Sequence, residues 1–191
     1  MRIATVAAVA ALVVAGLALV VALTGGSNGP IGIVGSGPDY PQPSAVNGCT
    51  PDQVHYSPLP AAAQDAGIPP TMPWVADSRG EITGSLGYLG KPPLRNSTVA
   101  VIGTDGRVAH DTGTQIIWWV RGSGAKTLTI VGRRTDSPGS FRETVTGPNA
   151  QGPNTVFPSI VDVPAAGCWT LDVRSGASSA SLRFQAIELG G

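Results

Sequence analysis

From about residue 76 onward the chain breaks into short runs in which apolar and polar side chains alternate. A two-residue period places neighbours on opposite faces of a strand. "KTLTIVG" (126–132) sets Leu128 and Ile130 against Thr127 and Thr129, and "FRETVTG" (141–147) sets Phe141, Glu143 and Val145 against Arg142 and Thr144. "CWTLDVR" (168–174) groups Trp169, Leu171 and Val173, while "ASLRFQAIE" (180–188) groups Leu182, Phe184 and Ala186 against Arg183 and Gln185. "STVAVIG" (97–103) ends at the turn "TDGR", and "NTVFPSIVDV" (154–163) carries Pro158, which fits an edge or bent strand. Turns are plentiful, because 26 of the 191 residues are Gly and 17 are Pro. The pattern predicts an all-β fold, an antiparallel immunoglobulin-like β-sandwich of about seven or eight strands.

"TQIIWWVR" (114–121) places two tryptophans side by side. Ile116, Trp118 and Val120 share one face, and Ile117 and Trp119 share the other. The reading puts Trp118 in the core with Leu128, Ile130, Trp169, Leu171, Val173, Leu182 and Phe184. Trp119 and Ile117 then lie on the outer face and form the candidate interaction surface. Either the irregular stretch 47–75 covers that face, or it stacks on a sugar ring or a partner protein.

Ahead of the strands lies an uncharged apolar run, Ile3–Leu23, with Arg2 as its flanking charge. A bilayer core takes about 20 apolar residues in a helix, more than the core of most cleaved signals. Residues 1–24 therefore read as a transmembrane anchor, with a cleaved signal peptide as the alternative. Arg2 implies a cytoplasmic N-terminus and an exported remainder. Residues 25–46 read as a Gly/Pro-rich tether. Residues 47–191 read as the extracytoplasmic domain, with 47–75 irregular and stapled to it. The two cysteines, Cys49 and Cys168, would both lie where disulfides persist, and they are read as one structural bridge.

"IIWWVRGSGAKTLTIVGRRTD" and "VFPSIVDVPAAGCWTLDVRSGASSASLRFQAIE" resemble the C-terminal part of a group of uncharacterised exported bacterial β-sandwich proteins. That group carries a tandem Trp, a "GRR.D" element and a "GCWEVTG"-like element, and the likeness spans about residues 114–188. This chain departs from the pattern at "GCWTLDVRSG". The resemblance implies an exported β-domain and an early cysteine that Cys49 matches. It brings no catalytic residue and no cofactor.

The remaining chemistry is sparse. A formal net charge of zero argues against nucleic acid, whose phosphates need a basic surface. Arg133–Arg134 is the densest basic point and reads as a solvated strand end. "HDTGTQ" (110–115) contains the Asp-Thr-Gly triplet of aspartic proteases, in one copy where two carboxylates must meet, and it reads as a turn. His55 and His110 are the two histidines, and no Gly-x-Ser-x-Gly elbow accompanies them. No metal-ligand spacing surrounds either cysteine. The chain thus reads as a non-catalytic, membrane-held envelope module without cofactor or metal. Residues 3–23 would meet the membrane, and another envelope protein or a glycan would be the partner. The alternatives are an envelope hydrolase using carboxylates or His110–Asp111, and a structural accessory subunit of a membrane complex.

Overall fold

Val, Ile, Thr and the aromatics dominate the alternating runs, and such residues suit a pleated, half-buried surface. In a computed structural model that describes residues 48–109, 112–122, 124–147 and 154–188, these runs pair into a mostly β fold. In chain order the strands are β1 (Trp74–Ala76), β2 (Ile82–Ser85), β3 (Val101–Gly103), β4 (Arg107–Ala109), β5 (Thr112–Gly113), β6 (Gln115–Val120), β7 (Thr127–Arg134), β8 (Ser140–Thr146), β9 (Thr155–Ile160), β10 (Gly167–Ser175) and β11 (Ser178–Ile187). One five-residue helix, α1 (Ala61–Asp65), and a 3-10 turn at Gly87–Gly90 complete the described elements. The expected anchor (1–24) and tether (25–46) lie outside the described residues. No helix among the described residues is long and apolar enough to cross a membrane.

Four strands form one sheet in the order β1-β2-β6-β9, and five form another in the order β3-β11-β10-β7-β8. A two-stranded ribbon, β4-β5, stands apart. Pro158 lies on β9, an edge strand, where its missing N–H costs no ladder bond. One pairing corrects the wholly antiparallel expectation: β3 runs parallel to β11, with Gln185 opposite Val101. The chain leaves the four-stranded sheet after β2 and reaches the free edge of β11 running the same way. β2 itself shows no alternation, because all four of its residues are buried.

The inner faces of both sheets supply one hydrophobic cluster. Trp118, Leu128, Ile130, Trp169, Leu171, Val173, Leu182 and Phe184 are all fully buried in it. Burial of each aliphatic or Phe side chain contributes about 1.5–3 kcal/mol. The indole N–H of Trp118 donates to Ser159 Oγ at 3.0 Å, which satisfies its one polar atom. Gly132 leaves the notch that Phe141 occupies. A Cβ there would lie 1.9 Å from the Phe141 ring, which tilts against Trp169 at 5.6 Å between centroids.

The outer face of the four-stranded sheet is also dry. Leu59, Ala63 and Ile68 close over Trp119 in a second cluster, joined at its margin by Met72, Trp74, Ile117 and Val156. The strap that carries them is tied down by paired backbone bonds between His55 and Trp74, at 2.8 and 3.0 Å, and by Val54 N–H to Thr98 O.

Candidate functional site

Trp119 is not available as an interaction surface. It is fully buried, and Ile117 beside it is half-buried. Leu59, Ala63 and Ile68 cover the indole, and the Arg121 guanidinium sits 5.8 Å from its ring centroid. Its N–H has no hydrogen-bond partner. Period 2 correctly separates Trp118 from Trp119, but an outward side chain meets solvent only where nothing packs over the sheet.

Cys49 and Cys168 are joined, with their Cα atoms 5.4 Å apart. The "GRR.D" and "GCW" elements meet at this bridge. Arg134 Nε donates to Asp136 Oδ1 at 2.7 Å, and Asp136 Oδ2 accepts the Cys168 N–H at 3.3 Å. The Arg134 guanidinium and the Cys168 N–H hold the Asp136 carboxyl below the usual range. Thr135 N–H donates to Cys168 O at 2.8 Å. Gly167 has φ +138°, and a Cβ there would stand 2.6 Å from both Arg134 Nε and Asp136 Oδ2. These residues build a corner that seats the bridge at the start of β10.

The polar positions of the alternating strands converge on the outer face of the five-stranded sheet. Register sets Ser140, Arg133, Thr170 and Arg183 in one row across β8, β7, β10 and β11. Arg142, Val131, Asp172 and Ser181 make the next row, and Thr144, Thr129, Arg174 and Ser179 the one after. Four guanidinia thus share a face with two carboxylates. Arg133 is paired with Asp172. Asp172 Oδ1 also accepts the Ser181 hydroxyl at 2.9 Å. Arg183 meets Asp52, which lies on the strap just past Cys49, at 3.5 Å. A third carboxylate, Glu81, accepts the Ser179 N–H at the rim at 3.3 Å. Arg142 and Arg174 are exposed and have no ion-pair partner among the described residues. Between them lies a shallow depression of about 230 Å³ lined by Thr129, Val131, Arg133, Arg142, Asp172 and Arg174. Arg133, expected as a solvated strand end, is part of this face, while Arg134 turns to Asp136.

His55 is exposed and stacks on Trp74 at 4.3 Å between centroids, as part of the strap. His110 and Asp111 lie outside the described residues. A larger groove of about 450 Å³ runs past Met72, Tyr88, Ile117 and Ile160, with Lys91 as its one charged group among the described residues. The Tyr88 hydroxyl is buried, donates to Val101 O at 2.9 Å, and is pushed up in pKa by its burial. Glu143 lies on the inward side of edge strand β8. Burial, and then the charge of Asp162, raise its pKa. No group of three or more His, Cys, Asp or Glu is gathered in metal-binding fashion among the described residues. Comparison with protein-family models, curated proteins and solved structures returns no match.

Proposed function

We propose that this chain is a membrane-held, extracytoplasmic binding module, and that it takes an anionic partner on the arginine-bearing face of its five-stranded sheet. The observation that carries the reading is the placement of Arg142 and Arg174, exposed and unpaired, on either side of one depression. Guanidinium forks match carboxylate and phosphate oxygens two at a time. With a net charge of zero, the positive surplus of this face is offset by negative charge elsewhere on the chain, so it is a local feature.

The finer architecture belongs to the same reading. An immunoglobulin-like sandwich is supported by the order β3-β11-β10-β7-β8 opposite β2-β6-β9, with the short first strand of one sheet parallel to the last strand. The apolar run 3–23 supports the membrane attachment, and the cystine supports an oxidising compartment.

Retention of the detergent-solubilised full-length chain on immobilised polyanions at low salt tests the binding face. The wild type is expected to be retained and to elute as salt rises, and the double variant Arg142→Glu, Arg174→Glu to flow through. Equal retention of both would overturn the face. Protease added to intact cells should digest the domain, and its protection would overturn the extracytoplasmic placement.

A further inference from the structure

We infer that the anion recognised on this face is a uronic-acid polysaccharide, a chain of sugars bearing carboxylates. This rests on the binding face proposed above and names its partner class.

Three features of the face select that class. The first is what it lacks. Among its described outward positions from β7 to β11 there is no aromatic residue, and Val131 is the one aliphatic side chain in the rows above. Protein interfaces draw their affinity from buried aromatic and apolar anchors near the centre of the patch. The depression on this surface is lined by a carboxylate and guanidinia instead, so an acidic protein finds charge here but no aromatic anchor.

The second feature is the hydroxyl lawn. Thr129, Thr144, Thr170, Ser179 and Ser181 separate the arginines, each offering a rotatable donor and acceptor. A polymer with hydroxyls between its charges matches this alternation, whereas polyphosphate has none.

The third feature is Asp172. It lines the depression two residues before Arg174 on β10, fixed by Arg133 on one side and the Ser181 hydroxyl on the other. A carboxylate there repels any anion that covers the whole site, and a denser charge suffers more. It accepts hydrogen bonds from sugar hydroxyls. Arg142 and Arg174 lie two strands and one row apart, about 12 Å between Cα atoms from strand spacing and rise. A ligand that places carboxylates on the two outer arginines and hydroxyls on Asp172 satisfies every group.

The test uses the full-length chain in detergent and four soluble probes: polygalacturonate, polyglutamate, polyphosphate and neutral dextran. Polygalacturonate is expected to bind most tightly, with an affinity that falls as salt rises. Arg142→Ala and Arg174→Ala should each weaken it about tenfold, the equivalent of one charge-assisted contact of about 1.4 kcal/mol. Arg95→Ala, outside the face, should leave binding unchanged. Asp172→Asn separates the classes. It should tighten polyphosphate and polyglutamate, which meet one fewer negative charge, and weaken polygalacturonate, whose hydroxyls exchange a charged two-oxygen acceptor for a single neutral amide oxygen. Polyglutamate or polyphosphate binding as tightly as polygalacturonate, or tightening of all three polyanions by Asp172→Asn, would overturn the sugar assignment and leave the anion face standing. Absence of binding to every polyanion, or binding insensitive to Arg142 and Arg174, would overturn the face itself.

Discussion

Trp119 is the residue at which the structure chooses between two readings, coverage by the stretch 47–75 and an open interaction surface, in favour of coverage. Its position opposite Trp118 follows from the strand period, yet it is fully buried beneath Leu59, Ala63 and Ile68. Replacing it by Ala should cost about 3–5 kcal/mol of stability, as for other large aromatic truncations, measured by denaturant unfolding. Binding to polyanions should survive at temperatures where the variant is folded. Glu143 makes the opposite kind of case. Burial and Asp162 raise its pKa, so the folded chain holds that proton more tightly than the unfolded one. Its contribution to stability is therefore most favourable below the unfolded glutamate value of about 4.3 and declines as pH rises through the folded value. Glu143→Gln should melt about 1–3 °C above wild type at pH 7, and the gain should vanish near pH 4. A charge facing inward on an edge strand also discourages pairing with another sheet. That role predicts more self-association by Glu143→Gln in sedimentation measurements.

Among the elements, those legible in the sequence are the ones with one dry face and one wet face. β7, β8, β10 and β11 alternate, and their apolar and polar sides fall where the period puts them. β2 was not legible, because Ile82, Thr83, Gly84 and Ser85 are covered on both sides, by Trp118 and Ile116 within and by the strap without. The arginine face lay hidden for a different reason. Each of Arg133, Arg142, Arg174 and Arg183 stands at a visible polar position of its own strand. Only the pairing of β8 with β7, β7 with β10 and β10 with β11 brings them together, and register between distant segments is not written in local periodicity. The corner at the start of β10 is similar, since it joins Arg134 and Asp136 to Gly167 and Cys168 across some 30 residues of chain. Gly167→Ala should displace that ion pair and cost about 1–3 kcal/mol, read as a lower urea midpoint.

At the scale of the whole molecule, the bridge between Cys49 and Cys168 closes a loop across a sequence separation of 119. Chain-entropy arithmetic gives a loop of that size about 4–5 kcal/mol. The double variant Cys49→Ser, Cys168→Ser should lose stability on that scale in thermal unfolding, and proteolysis should begin in the strap, which would have lost its covalent end. The same bridge lies three residues before Asp52, which meets Arg183 at the border of the proposed binding face, so its removal should also alter salt-dependent polyanion retention. It has a mechanical meaning as well. Tension entering the domain from the amino-terminal side reaches Cys49 and crosses sulfur to sulfur into β10, whose Asp172 and Arg174 stand on the binding face. The strap and the four-stranded sheet lie within the closed loop and are bypassed by load passing from Cys49 to Arg174, while the share held by Arg142 enters at β8 and crosses the β7 ladder to β10. A polyanion held by Arg174 on the proposed face and a force applied at Cys49 would thus be joined by a short covalent path along one central strand.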